Sequence, residues 1–288
     1  MKVVKEVRAM QEISEFNRLT YKKIGFVPTM GYLHEGHTSL ILKAKEECDI
    51  VVVSIYVNPT QFLQGEDFET YPRDFDKDYE MCKNAGADYI FYPDNLQMYK
   101  RNHMTNIMIS TITNRLEGEI RPGHFIGVAT IVLKLFNVVK PHKAYFGQKD
   151  AQQVVVLKRM TNDLNLDVEI ITCPTIREEN GLAKSSRNTY LTDAERNDAA
   201  ILYAALEKGK DWVLKRSEDL TTEEIKELMR DVIDETVKDA KVQYIAITDN
   251  ELLNEIKDIN GYKGEVLISL AVKMGKTRLI DNIVFSKN

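Results

Sequence analysis

The chain has 288 residues, 43% hydrophobic and 29% charged, which is enough to bury one large core or two modest ones. A formal charge of −5 and a pI near 5.7 disfavour a nucleic-acid binder, which carries a basic domain or stripe. No run approaches the ~18–20 apolar residues of a membrane span, so neither nucleic acid nor membrane is expected as a partner.

Cys48, Cys82 and Cys173 stand far apart without a CxxC pair. They read as buried small apolar residues, not as a disulfide framework or a zinc knuckle. The N-terminus is charged throughout and lacks the apolar core of a signal peptide, so a cytoplasmic location is expected.

In chain order, "IGFVPT" (24–29) and "IVVVSIYV" (50–57) predict short buried strands. Between them, Leu40, Ile41, Ala44 and Cys48 recur at helical spacing. A mostly polar helix over 74–85 precedes a third strand, "DYIFYP" (88–93). The clearest helix is "GVATIVLKLFNVVK", where Val128, Ile131, Val132, Leu135, Phe136 and Val139 form one stripe. "KAYFG" and "DVEIITC" predict strands around a helix over 150–163. Strand, helix, strand with short connections means a doubly wound, Rossmann-like α/β domain with a parallel sheet.

Near residue 180 the rhythm changes. "TDAE" has the form of a capping box, Thr192 with Glu195, and predicts one long helix running through "ILYAALEKGKDWVLK". Another capped helix is expected from Thr221 or Thr222. "VQYIAITD" and "GEVLISLAVKMGKTRLIDNIVF" then predict an antiparallel sheet. The expected domains are 1–179, and 180–288 as a smaller α+β domain, with no internal repeat.

Four stretches carry chemistry. "HEGH" places His34 and His37 in a loop directly after the strand 24–29, where doubly wound sheets bind ligands. The bland reading is a pair of surface loop histidines. A metal site lacks partners, because His103, His124 and His142 are not at ligand spacing, so no metal ligand is assigned. The phosphate reading has a helix beginning near Gly36, with free backbone N–H groups and two imidazole donors. Gly31 would allow the turn out of the strand, and Gly36 a close backbone approach.

"FGQKDAQQ" is either a polar helix start or a site with Lys149 on a phosphate, Asp150 on a ribose hydroxyl and Gln153 one turn on. "LAKSSRNTYLT" is a solvated turn or a cationic loop able to close on a polyphosphate. "YVNPTQF" ends the second strand with Asn58 and Gln61, which would orient a small polar substrate or satisfy a loop backbone.

Together these stretches resemble the HIGH and KMSKS signatures of class I aminoacyl-tRNA synthetases. More narrowly, "PTMGYLHEGH", "VNPTQF", "YPRDFDKD", "RPGHFIGVATIV", "YFGQKDAQQ" and "SSRNTYL", in this order and over nearly the whole chain, are similar to the pantothenate synthetase (pantoate–β-alanine ligase) family. The resemblance implies a nucleotidylyltransferase-type fold and an ATP-dependent condensation of pantoate with β-alanine. Pantoyl adenylate would be the intermediate, and AMP and pyrophosphate the by-products.

It also implies ATP contacts at Met30, Gly31, Tyr32, Leu33, His34, Glu35, Gly36 and His37. Further ATP contacts would be Gly147, Gln148, Lys149, Asp150, Ile176, Lys184, Ser185, Ser186 and Arg187. His37 would be the proton donor, with His34 and Lys149 also acting on the phosphates. Gln61 and Gln153 would hold pantoate, and Gln61 would also meet β-alanine. Mg²⁺ is expected on the ATP phosphates without a dedicated protein cage, the C-terminal domain would be a lid, and the assembly a homodimer.

Such a reaction also explains why no protein nucleophile with its own base stands out, since each nucleophile belongs to a substrate. The chain departs from the family pattern at Lys184, where Met is expected, and at Gln148, where Glu is common. The alternatives are a nucleotidyltransferase acting on another small acid or alcohol, and a catalytically silent nucleotide sensor.

Overall fold

The computed structural model describes residues 1–215 and 220–288. They form two compact units, one of residues 1–147 and 156–174, the other of residues 148–155 and 175–288.

The first unit opens with β1 (Lys2–Val4), α1 (Val7–Leu19), β2 (Ile24–Thr29), α2 (Glu35–Glu47) and β3 (Ile50–Ile55). It continues through α3 (Phe75–Asn84), β4 (Tyr89–Phe91) and two single-turn helices, α4 (Asn95–Met98) and α5 (Glu117–Ile120). The long α6 (His124–Val139), β5 (Lys143–Gly147), α7 (Ala151–Asp163, whose first residues belong to the second unit) and β6 (Glu169–Cys173) follow.

The strands make one parallel sheet in the order β1-β4-β3-β2-β5-β6. From β2 the chain winds outward through β3 to β4 on one side, while β5 and β6 lie on the other. The switch point is therefore at β2, and the loop leaving its carboxyl end is the expected ligand position.

Residues alternate across the sheet. Val27, Val51, Val53 and Ile90 join Ile41 and Ala44 of α2 in one core. Phe26, pointing the other way, meets Phe136 of α6 edge-on, with ring centres 6.4 Å apart. Burial on both faces is why these strands read as continuous apolar runs. Cys48, Cys82 and Cys173 are free thiols buried in the first of these cores, as expected.

Two features escape the sequence reading. β1 extends the sheet from the charged N-terminus, and α1 precedes β2. The helix α6 is buried nearly all round, not along one stripe, because it packs against α1, β2 and the 3-10 turn Pro59–Gln61. Gly127 makes that approach possible: a Cβ there would meet Gln61 Cα at 2.7 Å and the Thr60 carbonyl closer still.

In the second unit, α8 (Asp193–Asp198), α9 (Ile201–Leu214) and α10 (Thr222–Thr236) pack with an antiparallel sheet of β7 (Lys241–Asp249), β8 (Gly264–Met274) and β9 (Thr277–Lys287). Thr192 and Glu195 form the expected capping box, as do Thr221 and Glu224. The expected single long helix is two, broken at Ala199 and Ala200. Neither Gly nor Pro marks the break. Ala199 is fully buried, and the turn there leaves Leu202, Ala205, Leu206 and Val213 in the core with Ile225, Met229 and Ile268. Packing therefore sets this boundary.

Candidate functional site

In the first unit, β2 delivers Thr29 to the loop. Its hydroxyl donates to the Ser54 carbonyl (2.7 Å) and accepts from the Gly31 N–H (3.2 Å). Gly31 and Tyr32 both take left-handed backbone, φ +85° and +51°, so the chain reverses sharply. Leu33 is buried in the core and pins the turn from below.

His34 is the N-cap of α2, and its spacing from His37 has a structural role. The His34 Nδ1 accepts from the Gly36 N–H (3.1 Å), and the His37 Nδ1 accepts from the His34 N–H (3.3 Å). The pair is a capping box built from imidazoles, with ring centres 4.2 Å apart. Gly36 makes room for it, since a Cβ there would stand 2.8 Å from the His34 ring.

This arrangement changes the expected basis of phosphate binding. The N–H of Gly36 is bonded to an imidazole, and those of His37 and Thr38 to the His34 carbonyl. Three of the backbone donors expected to be free at the start of α2 are thus engaged. With each Nδ1 accepting, the hydrogen-bond network places the ring proton on Nε2.

Gln61 sits beside this loop, its amide N donating to the Met30 sulfur at 3.1 Å. Asn58, buried, donates to the Gln61 side-chain oxygen (3.1 Å) and to the Gly127 carbonyl (3.2 Å). It also accepts from the hydroxyls of Tyr99 (2.9 Å) and Thr60 (3.1 Å). The Gln61 carbonyl takes hydrogen bonds from the His124 ring N (2.8 Å) and the Arg121 guanidinium (3.4 Å). Arg121 also forks onto Glu66, both contacts 2.7 Å, and reaches the His124 Nε2 at 3.1 Å.

His124 is thereby read as neutral, with the proton on Nδ1. Burial first and the Arg121 charge second push its pKa down to about 4. The stretch "RPGHF" carries part of the family resemblance, but nothing in it predicts these roles for Arg121 and His124. Their partners lie some sixty residues away, beyond any local pattern. A cavity of about 410 Å³ opens at the carboxyl ends of β2, β3 and β4, with Met30, Gly31, Val57, Arg73 and Tyr92 in its lining.

In the second unit, Gln148, Lys149 and Asp150 form a 3-10 turn before α7. Asn282 of β9 clamps it: its amide N donates to the carbonyls of Gln148 (3.0 Å) and Lys149 (2.8 Å). Its oxygen accepts from the Gln148 amide at 2.9 Å. The Lys149 ammonium stands 3.6 Å from Asp150 Oδ1, and Gln153 is half-buried one turn further on.

Ile176 and Lys184 are joined by a backbone hydrogen bond, Lys184 N–H to Ile176 O at 2.9 Å. Ser185 caps the short turn Ser186–Tyr190 by accepting from the Arg187 N–H. Asn188 ties that turn to Glu178 (3.0 Å) and to the Ala183 carbonyl (3.1 Å). Glu178 is held by a two-pronged contact from Arg196, both 2.8 Å, which lowers its pKa. Arg177 lies 3.7 Å over the Tyr203 ring and pairs with buried Asp281, the neighbour of Asn282. Among the described residues, no three His, Cys, Asp or Glu side chains gather as a metal-binding group. No described helix is long and apolar enough to cross a membrane.

A family model described as pantoate–β-alanine ligase matches residues 2–284. A pantothenate synthetase of Caldicellulosiruptor bescii is 50% identical over 284 residues, 99% of either chain. A solved pantothenate synthetase from Thermus thermophilus superposes with a TM-score of 0.90 at 39% identity, covering 98% of this chain and 99% of that one. A pantoate–β-alanine ligase from Francisella tularensis, complexed with "beta-gamma ATP" and β-alanine, gives 0.79 at 37% identity, covering 99% and 97%.

Proposed function

This chain belongs to the pantoate–β-alanine ligase family, and from that premise we propose that it condenses pantoate with β-alanine at the expense of ATP. The pantoate carboxylate attacks the α-phosphorus of ATP, and pyrophosphate leaves. The amine of β-alanine then attacks the acyl carbon of the pantoyl adenylate, giving pantothenate and AMP. Both nucleophiles come from substrates, so the protein's work is positioning and charge stabilisation.

The observation that carries this reading is the imidazole capping box. It holds the two imidazoles together in the loop that leaves β2, the sheet's switch point, which supports a role for them at the phosphates. In this reading His34 and His37 donate to the phosphates, and Lys149 adds a cation. The remaining ATP contacts are drawn from residues 30–37, 147–150, Ile176 and 184–187. Gln61, braced by Asn58, holds pantoate and then meets the incoming β-alanine, and Gln153 also holds pantoate.

ATP enters as its magnesium complex. In this reading phosphate oxygens and water hold the ion, without a dedicated protein cage. The same reading takes the protein as a cytoplasmic homodimer, which mass measurement in solution checks directly.

Pyrophosphate–ATP isotope exchange with Mg²⁺ and without β-alanine tests the chemistry. Exchange that depends on pantoate is expected, and adding β-alanine should then release AMP and pantothenate. Exchange without pantoate, or none although ATP binds, rejects the two-step ligase reaction for this chain.

A further inference from the structure

We infer that Asp78 is a positioning residue, a latch on α3 that holds the turn feeding the His34 and His37 capping box in its working shape. The inference rests on the ligase reading for its catalytic consequence, and on geometry alone for the latch.

Asp78 is 1% exposed. Its two oxygens are divided between two consecutive backbone donors, Oδ2 with the Tyr32 N–H at 2.8 Å and Oδ1 with the Leu33 N–H at 2.6 Å. Those residues end the reversal at Gly31 and Tyr32 and immediately precede the N-cap His34. Tyrosine in left-handed backbone is unfavourable, so a contact from outside the loop must hold it there. The same helix supplies a second hold, with the Lys77 ammonium 5.1 Å over the Tyr32 ring.

The chemistry selects a carboxylate. Here each N–H meets its own oxygen, and an amide in the same pose would turn its NH₂ toward one of the two donors. Burial is the dominant influence on this carboxyl and raises its pKa, against the two N–H bonds that lower it; Asp74 raises it further and Lys77 lowers it. An ionised side chain kept in so unfavourable a place is understandable if its task is to accept both bonds. Gly31 belongs to the same device, because a Cβ there would stand 2.9 Å from Asp78 Oδ2. Asp78 bonds to the backbone of the loop, so its effect on chemistry passes through His34 and His37.

The test uses Asp78→Asn in the full chain, with two readouts. The first is pyrophosphate–ATP exchange per folded molecule. The expected result is a fall in kcat of about 10²-fold, the cost of a catalytic group displaced by about 1 Å. The KM for pantoate should stay within about 3-fold, because the Asn58–Gln61 bracing is untouched. The second readout, independent of activity, is ¹⁵N NMR of histidine-labelled protein.

In the parent, His34 and His37 should each show a single Nε2–H tautomer, and in the variant both should average between tautomers. Unchanged tautomers in Asp78→Asn overturn the latch, as does a kcat per folded molecule within about 3-fold of the parent. If the parent itself shows no exchange, the ligase reading fails, and the NMR result alone still decides the latch. Should Asp78→Asn not fold, Gly31→Ala, which pushes the same carboxylate away, is read by the same NMR criterion.

Discussion

Replacing Asn282 by alanine removes three hydrogen bonds at once from the turn that carries Lys149. The side chain is 4% exposed and spans the turn with contacts of 2.8, 2.9 and 3.0 Å. At about 0.5–1.5 kcal/mol net for each, the loss comes to about 1.5–4.5 kcal/mol. Trp212, the single tryptophan of the chain, lies on α9 in the second unit and reports its unfolding in urea by fluorescence.

Asn282→Asp should cost more than alanine, because it sets a carboxylate oxygen against the Gln148 and Lys149 carbonyls where an NH₂ now donates. Gln148→Glu should cost about 1 kcal/mol, since it removes the donor that Asn282 Oδ1 accepts. This gives the glutamine a purpose that a glutamate would not serve beside this Asn282 rotamer.

The catalytic effect follows from the same geometry. Releasing the turn displaces Lys149 and should slow pantoate-dependent exchange by about 10-fold to 10²-fold. If Asn282 acts through Lys149, the effects cannot add: in a Lys149→Ala background, Asn282→Ala should cost less than about 3-fold. Full additivity, or an Asn282→Ala variant with the parent's urea midpoint and exchange rate, would rule out an action of Asn282 through Lys149.

Gly127→Ala should destabilise the first unit by about 1–3 kcal/mol and raise the KM for pantoate, because the methyl drives α6 off the Gln61 backbone; urea unfolding and exchange kinetics read both. His34→Ala should lose about 0.5–2 kcal/mol of stability with its N-cap, whereas His34→Asn keeps a capping acceptor and should lose exchange activity alone. His37→Ala should slow adenylation by about 10²-fold or more in single-turnover experiments.

For His124, a folded pKa of about 4 against an ordinary 6.5 means that the unfolded chain takes up the proton first. Stability present above pH 6.5 should therefore fall as pH drops toward 4 and then level off, by up to about 3 kcal/mol. His124→Asn retains an N–H for the Gln61 carbonyl but does not titrate, so the difference in urea midpoint between about pH 7 and about pH 4.5 should shrink in that variant.

The parts of the fold legible in the sequence are those where burial writes a pattern. β2, β3 and β5 are covered on both faces and appear as apolar runs. The hairpin of β8 and β9 shows itself through strand-forming residues on either side of Gly275, and two of the helix starts through capping residues. β1 is not legible: it is three residues long, lies at the sheet edge and buries only Val4. The break between α8 and α9 has no local signal either, because alanine is a good helix former and only the packing of Ala199 in the core requires the turn.

The candidate site divides along the same line. Residues that would meet a substrate announce themselves by type and place, as histidines, lysines and amides gathered in the loops that follow strands. The residues that hold them in place act on backbone atoms, and a backbone partner leaves no mark on local composition. Asp78 reaches Leu33 across 45 positions, His124 reaches Gln61 across 63, and Asn282 reaches Gln148 across 134. Asp78 and His124 lie in stretches that carry the family resemblance, yet nothing there points to their partners, and Asn282 is an asparagine in a strand. Where a motif shows a donor, the physical question is therefore which distant side chain fixes the backbone beneath it, and that question is answered only once the chain is folded.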